Sequence, residues 1–491
     1  MKLLDICQKT NIKCPKHLEH IEVEGISSRS YEIKENYVFV CLNGTRMDGH
    51  SFIDAALLNG ACAVVIENDN FLCDVSIKVD STREALAKMM NAFCGEPAKQ
   101  LRFIGITGTN GKTSVAAMLK NIFDEIDHPS EVIGTLNCSS FSLLNDDSTA
   151  NFTTPDPEEL YPMLRRMSDA GVKTVIMEAS SHALKLQKLA PIEFEIGIFT
   201  NLTEDHLDFH LNMEDYYNSK LCLFHKCKFG IINVDDEYGK RIAKIEPCKI
   251  KTCSLLQKAD YYSKNVELFG DSGIRYKFKA QDDAIEIFCR VPGKFSIMNS
   301  MQASACAHLL NIDKNDIERS FKSFWGVKGR LEKSELFEGR GFAVFIDYAH
   351  TPDALSKLLE TFNGIKKAEQ RLVLVFGCGG DREKQKRSIM GEIATANADF
   401  VIITSDNPRS ENPNLIINDI LSRIVDKSNF AVIPDRRCAI EYAIATARRG
   451  DIIVLAGKGH ENYEINSFGR IPFDERAILR EIYDKYYEKE K

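Results

Sequence analysis

A glycine-rich turn set between an apolar strand and an amphipathic helix constrains this chain more than any other feature. Residues 105–114 read GITGTNGKTS. Upstream, Phe103-Ile104-Gly105-Ile106-Thr107 has the apolar make-up of a buried strand. Downstream, Val115, Leu119, Ile122 and Phe123 recur at helical spacing. A strand that breaks into a glycine turn and resumes as a helix forms a cradle for phosphate. Gly108 and Gly111 let the backbone curl so that N–H groups point at an anion, with Thr109, Asn110 and Ser114 filling out the loop. Lys112 supplies a positive charge for the outer phosphates, and Thr113 offers a hydroxyl for Mg²⁺. A nucleoside triphosphate is the expected ligand. The general P-loop pattern would require glycine five residues before Gly111, and that residue is Ile106. The ordinary nucleotide-hydrolase reading is weakened accordingly.

At 491 residues with 44% hydrophobic content, the chain is long enough for about three domains and has ordinary globular composition. Its 71 acidic and 63 basic residues are interspersed along the chain, and no basic run suits nucleic acid or an anionic membrane. Fifteen cysteines are scattered, odd in number and without a C-x-x-C pair, so neither a disulfide framework nor a zinc site is indicated. The N-terminus MKLLDICQKTNIK is too polar for a signal peptide, and no apolar stretch approaches a membrane span. A cytoplasmic monomer is expected.

Three compositional blocks follow one another. The first, to about residue 98, carries strand-like Tyr37–Val40 and Ala63–Ile66 separated by turns at Asn43-Gly44 and Asp48-Gly49-His50. The second opens at the glycine turn and has further apolar runs at Thr174–Met177 and Ile196–Phe199. Each run ends in a polar cluster, and ligands of open parallel sheets collect beyond the carboxyl ends of strands, so these clusters should lie beside the phosphate turn. The third, from about 332, alternates strands at Ala343–Ile346, Leu372–Phe376, Val401–Ile403 and Ile452–Leu455 with helix-length segments, a doubly wound α/β pattern.

Taken together, several strings resemble the Mur ligase family, and within it the branch that adds a third amino acid to UDP-N-acetylmuramoyl-L-alanyl-D-glutamate. They are Asp48-Gly49-His50; Asn151-Phe152-Thr153-Thr154-Pro155; MEASSHAL from Met177; TNLTEDHLDFH from Thr200; DYAHTPDAL from Asp347; FGCGGDR from Phe376; DNPRSE from Asp406; and AGKGHE from Ala456. The likeness runs end to end. It implies a three-domain α/β architecture: a small N-terminal α/β domain binding the UDP substrate (1–98), a central P-loop-type parallel-sheet ATPase domain (99–331) and a C-terminal Rossmann-like domain binding the amino acid (332–491). The implied substrates are small molecules: ATP, the UDP-muramoyl dipeptide and a diamino acid.

The resemblance also implies roles. A substrate carboxylate attacks the γ-phosphate of ATP, and two anions meeting at close range repel by several kcal/mol, so the site needs cations. Lys112 is one; Mg²⁺ held by Thr113 and Glu178 is another. A second Mg²⁺ is implied near His206 and Lys220, with Lys220 carbamylated, since a protonated lysine of ordinary pKa near about 10.4 cannot ligate a cation. Asn299, Arg330, Asp347, Tyr348 and His350 are implied nucleotide contacts. Asn151, Thr153, Thr154, Ser180 and Lys188 are implied to hold the muramoyl peptide, and Ser28 and Arg29 the uridine side. Asp406, Asn407, Pro408 and Arg409, with Arg382, Gly457 and Glu461, are implied to hold meso-diaminopimelate: a guanidinium grips a carboxylate through two parallel hydrogen bonds, and lysine lacks that carboxylate. The chain departs from the family at Ser27 (usually Asp), Ser296 (usually Asn) and Lys188 (usually Arg). The other readings are a lysine-adding relative, a folylpolyglutamate synthase-like ligase, and a non-catalytic scaffold with a ligase fold.

Overall fold

The structure, a computed structural model, describes residues 1–44, 47–135, 153–207, 209–280, 283–425 and 428–487. The backbone groups into two compact units. One comprises Met1–Tyr261 with Ala305–Asn311, the other Tyr262–Ser304 with Ile312–Lys491.

The first unit holds a four-stranded parallel sheet and six parallel strands of a larger one. The smaller pairs Gly25–Ser27, Tyr37–Val40, Ala61–Ile66 and Ser76–Lys78 in chain order. In the larger, parallel strands lie in the spatial order Ser130–Ile133, Thr174–Glu178, Arg102–Thr107, Phe194–Phe199, Cys227–Asn233 and Lys249–Ser254. The earliest of these strands in sequence is therefore central, flanked on opposite sides by strands that follow it. Such a reversal of winding direction opens a crevice at the carboxyl ends of the strands. Register brings Glu178 beside Ile106 and Phe199 beside Thr107, so the loops leaving these three strands emerge next to one another.

The second unit carries an antiparallel pair, Ile274–Ala280 with Asp283–Cys289, and a six-stranded sheet. The latter runs Glu332–Lys333, Ala343–Asp347, Ile452–Ala456, Leu372–Phe376, Phe400–Ile403, Phe430–Val432, parallel except at its first edge. Its inner strands are largely apolar because both faces are covered: Leu372, Leu374 and Phe376 enter one core, while Val373 and Val375 enter the other. Asp347 pairs with Ala456 and Phe376 with Ile403, so four strands end level. The turns that follow them carry Tyr348, Gly457–Glu461, Gly377–Arg382 and Asp406–Arg409. No helix among the described residues is long and apolar enough to cross a membrane.

Candidate active site

The turn after Arg102–Thr107 has the form that its glycines require. Gly108 adopts φ +152°, and a Cβ there would stand 1.9 Å from Thr200 Oγ1. Gly111, at φ +88°, precedes the helix Lys112–Glu125. The first intrahelical bond runs from Val115 N to Gly111 O, so the preceding N–H groups of the first turn are not used by the helix itself. The neighbouring loop braces the turn: Thr109 N donates to Asn201 O at 2.9 Å, Asn110 N to Asn201 Oδ1 at 3.0 Å, and Thr200 Oγ1 to Asn110 O at 2.6 Å. Lys112 folds back, its Nζ donating to Gly108 O and Thr109 O. Helix N–H groups and an ammonium thus stand together at one turn, which suits an anion.

Glu178, the last residue of its strand, is buried and faces this turn. Its carboxylate accepts from Thr113 Oγ1 at 3.0 Å, from Thr135 N at 3.1 Å and from Thr135 Oγ1 at 3.4 Å. Gly134 makes room for it: a Cβ there would lie 2.2 Å from Glu178 Oε1. A hydroxyl oxygen and a carboxylate oxygen in contact, beside a phosphate-type loop, match the donors that Mg²⁺ prefers.

Lys220 sits on the helix Met213–Phe224. The solvated lysine of an amphipathic helix is not what is found: the side chain is buried, donates to Gly108 O at 2.9 Å and lies 4.5 Å from the Tyr216 ring centroid. Burial, with Lys112 as a second cause, holds its pKa well below the usual lysine range, against a smaller opposing pull from Asp205. His206, in the left-handed region at φ +54°, packs edge-on to Tyr216 at 6.2 Å and to His182 at 5.2 Å. The buried Tyr216, whose hydroxyl is 3.3 Å from Thr109 Oγ1, thereby links the lysine, the histidine and the turn. No group of three or more His, Cys, Asp or Glu side chains forms a metal cluster among the described residues.

The residues expected to hold the UDP-peptide are engaged mostly with neighbouring carboxylates and backbone groups. Ser28 donates to Glu158 Oε1 through both N and Oγ, Arg29 pairs with Glu32 at 2.8 Å, and Lys188 pairs with Asp156 at 2.7 Å. Asp156 and Glu158 stand at the start of the helix Pro157–Asp169. Thr154 Oγ1 donates to Glu178 O, and Ser180 caps the helix Ser181–Lys185. Thr153 lies 3.3 Å from Thr135, oxygen to oxygen. Asn151 lies outside the described residues. Of the departures, Ser27 donates to Glu32 and Ser296 to Pro292 O.

In the second unit, the expected nucleotide contacts Arg330, Tyr348 and His350 adjoin: the guanidinium lies 5.0 Å over the Tyr348 ring, and the two rings are 4.6 Å apart. Asp347 is buried and accepts from Leu331 N and Ala349 N, with burial raising its pKa against the influence of Arg330 and those two N–H groups. Asn299 is buried on the helix Phe295–Leu309. Four of the expected diamino acid contacts also gather. Asn407 Nδ2 donates to Glu461 Oε2 at 2.8 Å, and a Cβ on Gly457, at φ +112°, would stand 2.9 Å from Asp406 Oδ2. Pro408 is buried between Asn407 and Arg409. Arg409, at φ +52°, donates through Nη1 to Gly380 O at 2.8 Å. It does not pair with Glu411, whose carboxylate is gripped by Arg387 and held down to about pKa 2 by that guanidinium and the Asp381 N–H. Arg382 is exposed on the turn after Leu372–Phe376.

Sequence reasoning passed over two groups here. Lys458, inside the AGKGHE string, is fully buried between Asn407 and Glu461. Arg436 forms a buried pair with Glu475 at 2.9 Å and donates to Ala456 O and Ser405 O, steadying two strand ends at once. A charged residue at the start of a helix gives no hint in sequence of such a role.

Family profiles match three segments: the Mur ligase family catalytic domain at residues 22–94, the Mur ligase middle domain at 106–307, and the Mur ligase glutamate ligase domain at 329–459. The chain is 39% identical to the UDP-N-acetylmuramoyl-L-alanyl-D-glutamate–2,6-diaminopimelate ligase of Clostridium tetani, over 99% of this chain and 100% of that one. With the enzyme of the same name from Clostridium perfringens the identity is 41%, over 94% and 96%. A solved structure of such a ligase superposes with a TM-score of 0.73 at 30% identity, over 99% of both chains. A folylpolyglutamate synthase of Mycobacterium tuberculosis, at 16% identity, 81% and 94% coverage and TM-score 0.60, shares the fold.

Proposed function

This chain belongs to the Mur ligase family, and we propose that it is the ATP-dependent ligase that adds meso-diaminopimelate to UDP-N-acetylmuramoyl-L-alanyl-D-glutamate in peptidoglycan synthesis. In this reading residues 1–98 receive the UDP substrate, 99–331 the ATP and 332–491 the amino acid. The observation that carries the choice of acceptor is the corner where Asn407 joins Glu461 and is followed by Arg409, whose guanidinium is held by the carbonyl of Gly380. One group of each sign suits the far end of diaminopimelate, which bears both an ammonium and a carboxylate; lysine would answer only Glu461.

The reaction proceeds in two displacements. A carboxylate oxygen of the dipeptide attacks the γ-phosphorus, the bond to the bridging oxygen breaks, and ADP leaves. The amine of diaminopimelate then attacks the acyl carbon, the carbon–oxygen bond to phosphate breaks, and phosphate leaves as the amine gives up a proton. The N–H groups ahead of Val115 and the ammonium of Lys112 receive the phosphates and lower the repulsion between the two reacting anions. Thr113 and Glu178 would hold Mg²⁺, which supplies further neutralisation of that charge. Burial holds the pKa of Lys220 well below the usual lysine range, which favours the neutral amine that can add carbon dioxide with loss of a proton; its carbamate would present two oxygens beside the glycine turn. Every described cysteine is a free thiol, in keeping with a reducing cytoplasm, and the reading takes the enzyme as a monomer there.

The test is phosphate release from ATP in the presence of each substrate alone and in combination. Release should require both the UDP-muramoyl dipeptide and diaminopimelate, and should fall by at least about thirtyfold in kcat/KM with lysine as acceptor. Turnover with nucleotide alone, or equal use of lysine, would overturn the proposal.

A further inference from the structure

Lys458 is fully buried, and every polar neighbour of its ammonium belongs to the corner just described or to the hairpin behind it. Its Nζ donates to Asn407 Oδ1 at 3.2 Å and to Tyr463 O at 2.8 Å. It stands 3.6 Å from Glu461 Oε2 and 3.7 Å from Asp406 Oδ1, and 5.4 Å over the Phe473 ring. Two consequences follow. Asn407 Oδ1 accepts from both Lys458 Nζ and Ile465 N, so the amide cannot flip, and its NH₂ is committed to Glu461. Asp406 Oδ1 is buried without a hydrogen-bond partner, and the ammonium is the cation that faces it.

We propose that Lys458 is a positioning residue for the incoming amino acid: it locks Asn407 and offsets one of the two carboxylates that face it, Asp406 and Glu461, so that these three groups keep one negative charge for the ammonium of the amino acid. The inference rests on the ligase reading above and deepens it. The ionisable groups facing Glu461 are Asp406, Tyr348, Lys458 and Arg436, the last already paired with Glu475, while Glu464 faces Lys458 and Asp406. Burial pushes the Glu461 carboxyl up and Asp406 adds to this, while Asn407 and Lys458 pull it down. With the lysine charge gone, Glu461 takes up a proton nearer neutral pH, and a protonated carboxyl cannot hold an ammonium.

The experiment compares full-length wild type, Lys458→Met, the milder Lys458→Gln, and Lys458→Met/Glu461→Gln over about pH 6 to about pH 9. The KM for diaminopimelate should rise about tenfold or more in Lys458→Met near neutrality and return toward the wild-type value as pH increases, with the KM for ATP unchanged within about twofold. The double variant should lose that pH dependence. A KM for diaminopimelate that is unchanged, or raised by one constant factor at all pH values, would overturn the proposal; Lys458→Gln decides if the methionine variant does not fold. An infrared titration of the protonated-carboxyl band, present near neutrality in Lys458→Met and absent from wild type and the double variant, needs no turnover. If wild type rejects diaminopimelate, the ligase reading fails, and this band alone decides the role of Lys458.

Discussion

Replacing Gly134 by alanine should disable nucleotide chemistry while sparing the fold. The added Cβ would stand 2.2 Å from Oε1 of Glu178 and 2.7 Å from its Cδ and Cγ, whereas ordinary contact begins at 3.4 Å. The obstruction is a side chain, so the carboxylate, not the backbone, gives way, by about 1 Å. In retreating it loses Thr135 N and Thr113 Oγ1 as donors, and hydrogen bonds to a charged group are worth about 1.5 to 3 kcal/mol each. A reacting or metal-holding group misplaced by about 1 Å costs on the order of 10²-fold in rate. The assay is kcat/KM for ATP with both other substrates saturating, together with the Mg²⁺ dependence and a thermal melt. Gly364→Ala provides the control, since that helical glycine has nothing within 4 Å of the added Cβ and should be silent or slightly stabilising. A folded Gly134→Ala enzyme within about threefold of wild type would show that Glu178 need not occupy this position.

Three further outcomes are expected. Lys220→Ala should be nearly inactive and partly restored by added short-chain carboxylates; full activity without them would refute a carbamate at this position. Arg409→Ala should weaken use of diaminopimelate by about thirtyfold to several thousandfold, for about 2 to 5 kcal/mol, and leave the KM for ATP nearly constant; unchanged acceptor kinetics would remove Arg409 from the site. Glu411 has a folded-state pKa of about 2 against an ordinary 4.5, so its contribution is complete above 4.5 and lost as pH falls toward 2. Urea midpoints of wild type and Glu411→Gln should therefore converge over that window, and a gap that stays constant down to acid pH would refute it.

Sequence patterning located the strands well because burial on both faces leaves nearly continuous apolar runs; Leu372–Phe376 and Tyr37–Val40 coincide with the expected bounds. Glu178 was legible too, since a carboxylate closing an apolar run marks the end of a strand where ligands gather. What escaped depends on contacts between residues far apart in sequence. Gly134 matters only because Glu178 folds against it from 44 positions away. Lys458 looks like any lysine in a loop until the hairpin Tyr463–Asn466 closes over it. Ser28 and Arg29 were expected to face uridine, and the structure shows them bonded to Glu158 and Glu32, so any uridine contact has to share or displace those partners.

The buried union of Arg436 with Glu475 bears on how the chain can drift over generations. With both partners inside the protein, loss of either one strands an opposite charge, a penalty of about 3 to 5 kcal/mol, whereas exchange of both for well-fitting apolar residues can be nearly neutral. Single changes at either position should accordingly be purged, and descendants that abandon the arginine should have abandoned the glutamate with it. The two positions, 39 residues apart in sequence and joined inside the protein, should therefore vary only as a couple.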